Sequence, residues 1–146
     1  ETLAMLRACW TEDPVNFDAT ATGGQMVNMR ANPRPNRHIP IWVGGMSDAA
    51  LNRAVTFGDG WHAPGSNKKD LSTHIVKLRE ARPDDSFAIS TRLQWDGLEE
   101  NTDDMKRQIA EFRDIGVQHL VFQPRQRYAD DWHRSVEKLW NMTRDV

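Results

Sequence analysis

Gly44 and Gly45 stand directly after the apolar run Ile39-Pro40-Ile41-Trp42-Val43 and directly before a helix signal at Ser47. A Gly-Gly turn that opens a helix presents backbone N–H groups to an anion, usually a phosphate, with the positive end of the helix dipole behind them. The same pair is also ordinary turn punctuation. It lacks the spaced third glycine of a dinucleotide fingerprint, and no Gly-Lys-Ser/Thr follows to make a nucleotide phosphate loop. Arg125 and Arg127 are a second place where an anion could be held, since a guanidinium matches a phosphate bidentately. Two solvated side chains are the plain alternative there, and Lys68-Lys69 carries less weight still.

Acid–base chemistry has few candidates. The histidines His38, His62, His74, His119 and His133 show no metal-ligand spacing, so no metal site is expected. His62 falls near the carboxyl end of a strand and is the one to test as an acid or base. His119 alternates with core positions and is expected on the outer face. Asp59, at the start of Asp59-Gly60-Trp61, is read as bracing a helix-to-strand corner rather than as catalytic, and Trp61 as either a pocket wall or a packing residue. Cys9, the single cysteine, excludes an intrachain disulfide; beside Trp10 in a helical pattern and with no histidine near it in sequence, it reads as a packed thiol. No catalytic residue is assigned.

These residues need strands and helices to hold them. Ile39 to Val43 is a short β-branched run with Pro40 near its start, as suits a buried strand. Ser47 can cap the helix that follows, with Asp48 in its first turn; Ala50, Leu51, Ala54 and Val55 share one face, and Gly58 suits its end. Trp61 starts the next strand, and the loop after it carries Pro64, Gly65 and Ser66. A helix with Leu71, Ile75 and Leu78 on one face follows, with Asp70 as its cap. Phe87, Ile89, Thr91 and Leu93 alternate as a strand. Met105, Ile109, Phe112 and Ile115 make a helix capped by Thr102 and ended by Gly116. Val117 to Phe122 is a strand, and Trp132, Val136, Leu139 and Trp140 form the face of a last helix. Ahead of all this lie a helix through Leu3, Leu6 and Trp10, a stop at Pro14, a hairpin near Gly23-Gly24 and a basic connector through Arg30, Arg34 and Arg37.

The run Pro40-Ile41-Trp42-Val43-Gly44-Gly45-Met46-Ser47, with Ala49-Ala50-Leu51, Arg53-Ala54 and Gly58-Asp59-Gly60-Trp61, closely resembles the bacterial luciferase-like oxidoreductases (luciferase-like monooxygenases). Within them it looks most like the branch that uses the deazaflavin coenzyme F-420. Leu6, Trp10-Thr11, Asp13-Pro14-Val15 and Phe17 upstream, and Gly116-Val117 and His119-Leu120-Val121 downstream, sit in the family's order. The glycine usual after the Phe is absent at Phe17-Asp18-Ala19. The resemblance implies a single domain spanning 1–146, an α/β fold forming the C-terminal half of a (β/α)8 TIM barrel. Residues 1–38 would be a leading helix and rim insertion, and 39–146 four βα units. It further implies hydride transfer to or from coenzyme F-420 or FMN on a small organic substrate, with oxygenation open to the FMN enzymes. Val43, Gly44 and Gly45 would contact the cofactor through their backbone, with Met46 and Ser47 as extensions and Arg125 and Arg127 as anion ligands.

Alternating β and α elements mean a parallel sheet, either part of a barrel or an open doubly wound sheet whose strand order would reverse near Gly44-Gly45. The chain of 146 residues is long enough for a core. A net charge of −2 gives no general pull toward nucleic acid or an anionic membrane. No apolar run approaches a membrane span and no signal peptide is evident, so a soluble, cytoplasmic protein is expected. Glu1 opens on a helix already running, which reads as a start inside a domain. Four strands of a barrel would leave open edges and an apolar inner face, so self-association or pairing with the missing N-terminal half is expected, and the chain by itself is expected to be inactive. Two other functions stay open: a non-catalytic association module, and an open α/β domain binding a phosphorylated small molecule.

Overall fold

The computed structural model describes residues 1–65 and 67–144; Ser66, in the loop after Trp61, lies outside them. The chain forms two compact units, Glu1–Pro40 and Ile41–Val146.

The first unit is a helix and a hairpin. Helix α1 (Thr2–Thr11) stops at Glu12, two residues before Pro14, which lacks the N–H that another turn would need. Strands β1 (Val15–Ala19) and β2 (Gly24–Met29) pair antiparallel, and Gly23 takes the positive φ, +72°, that their turn requires. The Glu1 carboxylate ties the start of α1 to the hairpin tip by accepting from the N–H groups of Ala21 and Thr22, each at 3.0 Å. Cys9 is half-buried, its Sγ 3.9 Å from Met26 Sδ.

The second unit is four βα repeats. They are β3 (Trp42–Gly44) and α2 (Asp48–Phe57), β4 (Gly60–Ala63) and α3 (Lys68–Ala81), β5 (Ala88–Trp95) and α4 (Thr102–Asp114), and β6 (His119–Pro124) and α5 (Ala129–Thr143). The strands are parallel and lie in the order β3-β4-β5-β6, the order of the sequence. No reversal occurs near Gly44-Gly45. Trp61, Ala63 and Ile89 pack with Leu51 and Ala54 of α2, Leu71, Ile75 and Leu78 of α3 and Phe112 of α4 in one core. Trp95 continues that side of the sheet into a second cluster with Met105, Ile109 and Met142. All four helices therefore cover one face, whereas a doubly wound sheet carries helices on both. The unit is a segment of a (β/α)8 barrel.

Several local expectations are corrected. The side chain that caps α3 is Asn67, accepting from Asp70 N–H, and Asp70 sits in the first turn; Asn101 likewise displaces Thr102 as the cap of α4. An Asn side chain three residues before Asp70, and one residue before Thr102, reaches the orphan donors first, so each helix starts after its Asn. Gly58 ends α2 in an extended conformation, φ −92°. Its glycine is needed for space: a Cβ there would lie 2.8 Å from Ala54 O. Helix α5 buries Ser135 and Met142; of the expected face Leu139 packs against the core and Val136 is half-buried, while Trp132 and Trp140 are exposed.

The uncovered face of the sheet is also more polar than expected. Strand alternation places His62, Ser90, Arg92, Gln94, His119 and Gln123 on it. Trp42 and Val121 are its large apolar residues, each 38% exposed.

Candidate functional site

The parallel register sets four residues side by side on the uncovered face. Gly44 pairs with His62, His62 with Ser90, and Ser90 with His119. The side chains join up: His62 Nδ1 lies 2.9 Å from Ser90 Oγ, and Ser90 Oγ lies 3.1 Å from His119 Nδ1. Ser90 is fully buried between the two rings, while His119 is exposed. Burial, the neighbouring Arg92 guanidinium and His119 all hold the His62 imidazole below its usual range, because each disfavours a second positive charge there. His119 is thus not on the outer face with the helices. Its even-numbered neighbours Leu120 and Phe122 take that side, so the core positions with which His119 alternates are the ones under the helices, and His119 itself falls on the uncovered face.

Trp42 floors this row. Its indole meets the His119 ring edge-to-face, with centroids 5.1 Å apart. To reach there from β3 it must cross β4 and β5, and the residues beneath it are Gly60 and Ala88. A Cβ on Gly60 would come within 2.9 Å of Trp42 Cδ1 and 2.8 Å of Ala88 O. Glycine at position 60 is what lets the indole lie over the sheet. Sequence reasoning missed both Ser90 and Trp42; the only available signal was the register between strands, which a single sequence does not print.

Above the row is the Gly44-Gly45 turn. Gly45 has φ +116°, a conformation that disfavours any other residue, and a Cβ there would sit 3.0 Å from that of Ala50. Trp61 fixes the turn from below, its Nε1–H donating to Gly45 O at 2.7 Å. The indole is wholly buried and stacks on His74 at 6.1 Å, so Trp61 is a packing residue and a brace for the turn. Gly44 differs from Gly45. A Cβ on it would meet nothing closer than His62 O at 3.8 Å. It leaves open space over the backbone beside His62.

The other expected site residues divide. Val43 and Met46 turn their side chains to the core, and Ser47 Oγ is spent on the cap, accepting from Ala50 N–H at 3.2 Å. These three have only backbone to offer a ligand. The N–H groups of Asp48 and Ala49 precede the first intrahelical acceptor, but the Asp48 carboxylate beside them opposes an anion. Arg125 and Arg127 lie at the carboxyl end of β6, the far edge of the sheet. Three strand spacings of about 4.8 Å separate that edge from Gly44. Arg125 also pairs with Glu100 at 3.6 Å, so the structure does not gather these arginines with the glycine turn. Asp59 is at the opposite, amino end of β4, where its carboxylate accepts from Ile41 N–H at 2.8 Å. It braces the corner. Among the described residues no group of three or more His, Cys, Asp or Glu is placed to hold a metal, and no helix is long and apolar enough to cross a membrane.

A profile of the luciferase-like monooxygenases matches residues 1–144. The chain belongs to that family. Uncharacterised proteins of Mycobacterium bovis and Mycobacterium tuberculosis are 40% identical over 53 residues, a match covering 36% of this chain and 18% of theirs. Among solved structures, an F420-dependent secondary alcohol dehydrogenase in complex with an F420-acetone adduct superposes with a TM-score of 0.77 at 14% identity. That match covers 98% of this chain and 60% of the dehydrogenase, so the chain spans less than two thirds of it. At this identity the likeness is one of fold, and it places the four βα units in a family of barrels whose ligands sit at the carboxyl ends of the strands.

Proposed function

We propose that the chain serves a flavin- or deazaflavin-dependent oxidoreductase and that the cofactor lies against the backbone of Val43, Gly44 and Gly45. The observation that carries this is the open position at Gly44, on the carboxyl-end turn of a chain that matches a luciferase-like family along nearly its whole length. Coenzyme F-420 is the first choice and FMN the second: the motif around Gly44-Gly45 resembles that of the F-420 branch, and the solved neighbour is named for the same coenzyme. A bound flavin or deazaflavin supplies hydride chemistry for a small organic substrate. The protein's own part is to position and to exclude water. Trp61 and the φ of Gly45 set the turn, Gly44 keeps it clear, and His62 stands next to it with a ring nitrogen for the substrate side.

Fluorescence titration with F-420 and with FMN tests the proposal, using the wild type and Gly44→Val. Gly44→Val is the informative variant because its side chain enters open space and the fold survives; Gly45→Val would be strained by its positive φ whatever the ligand does. One cofactor is expected to bind the wild type with a dissociation constant on the order of micromolar, and Gly44→Val to weaken it at least tenfold, about 1.4 kcal/mol. Equal binding by Gly44→Val would put the cofactor elsewhere. No binding of either by the wild type would count against the function.

A further inference from the structure

We infer that His62, Ser90 and His119 form a proton relay that connects the group bound beside Gly44 with water at the β6 edge of the sheet. This deepens the function proposed above and rests on it for the identity of that group. The geometry rests on nothing but the three residues. A buried serine hydroxyl is satisfied by one acceptor, yet Ser90 has an imidazole on each side, at 2.9 Å and 3.1 Å. The hydroxyl has a single proton, so it donates to one ring and accepts from the other. The two rings must therefore be in opposite tautomers when both are neutral: one carries its proton on Nδ1, the other on Nε2. Three donors and acceptors in line, each able to give one proton and take one, make a wire and not merely a buried pair. One end is His62, half-buried beside Gly44; the other is His119, exposed at the edge strand.

The proton count closes. In the base form His62 Nδ1–H donates to Ser90 Oγ and the hydroxyl donates to His119 Nδ1. An alcohol substrate whose carbinol carbon gave up hydride to the bound group would pass its hydroxyl proton to His62 Nε2. The His62 Nδ1 proton then passes to Ser90 Oγ as the hydroxyl proton passes to His119 Nδ1, one N–H and one O–H breaking and one of each forming. The charge has moved from His62 to His119, which releases its Nε2 proton to water. The relay is left with its tautomers exchanged. His62 now holds a proton on Nε2 and is set as an acid for the reverse reaction, carbonyl to alcohol.

The surroundings favour this direction of charge. The titratable or charged groups facing His62 are Arg92 on β5 and His119 on β6, while β3 presents Gly44 and the neutral indole of Trp42. Arg92 and burial both oppose a resident charge on His62, so a proton taken there is passed on instead of kept. Trp42 closes the row from beneath, its indole edge-to-face with the His119 ring.

Long-range proton–nitrogen NMR of the histidine rings tests the relay on the chain without cofactor, so its result is independent of whether F-420 or FMN binds. At high pH, where both rings are neutral, His62 and His119 are expected in opposite tautomers. Ser90→Ala should abolish that complementarity. A buried hydrogen bond with no transport role would show the tautomers too, so proton exchange at His62 is read as well, from line broadening near its midpoint. His119→Gln should slow that exchange, and free imidazole added to the buffer should restore it. Identical tautomers at His62 and His119 in the wild type would overturn the relay. So would proton exchange at His62 that is unchanged in His119→Gln.

Discussion

Trp61→Ala is expected to lower the stability of the chain by about 3–5 kcal/mol, the range for deleting a fully buried aromatic side chain. Trp61 is 0% exposed and stands at the centre of the larger core, with Leu51 and Ala54 of α2, Leu71 and Ile75 of α3 and Ile89 of β5 in the same cluster. Its removal leaves a cavity that four rigid elements border and that none can fill alone. The Nε1–H···O bond to Gly45 goes with it, so the turn loses its brace at the same time. Trp61→Phe separates the two effects. It keeps most of the ring and loses the hydrogen bond, for about 1 kcal/mol, and cofactor affinity should fall with little loss of stability. Urea unfolding of the three proteins measures both costs. A Trp61→Ala protein within about 1 kcal/mol of the wild type would mean that the core does not depend on this indole.

The second large effect is expected at Gly97. A methyl group there would overlap Ser135 Oγ and lie 2.8 Å from Ser135 Cα and 2.9 Å from Ser135 O. The last two are backbone atoms inside α5, which can yield only if the whole helix moves. Gly97 N–H also donates to Ser135 Oγ at 2.9 Å, so the contact is both a close approach and a hydrogen bond. Gly97→Ala should therefore lift α5 from the sheet and open the cluster of Trp95, Met105, Ile109 and Met142, at about 3 kcal/mol or more, the upper end for overpacking. Hydrogen exchange should show α5 losing protection ahead of α2 and α3. Uniform protection and an unchanged urea midpoint would contradict the packing described.

The βα order was legible in the sequence because each element has a strong local pattern. Period-two alternation from Phe87 to Leu93 and helical spacing from Met105 to Phe112 each specify one structure without help from the rest of the chain. The glycine turn was legible for the same reason. What failed were features set by residues distant in sequence. Trp132 and Trp140 look like core residues by hydrophobicity, but α5 is oriented by the small pair Gly97 and Ser135, and small residues carry no apolar signal. The face of His119 was not legible because alternation shows only that it opposes Leu120 and Phe122, and which of the two faces the helices cover is set by the tertiary fold. Ser90 became a site residue only through the parallel register, which joins positions 44, 62, 90 and 119 across four strands, and Trp42 only through the passage of its indole over Gly60 to His119. Arg125 has the chemistry of an anion ligand, and the fold puts it on the other edge with Glu100.

Amide chemical-shift mapping during titration with F-420, repeated with FMN, tests the central claim most directly. The account predicts saturable shifts at Gly44, Gly45 and the neighbouring His62, with Asp59 at the opposite end of β4 unmoved. Shifts confined to the loop of Arg125 and Arg127, or none with either cofactor, would contradict it.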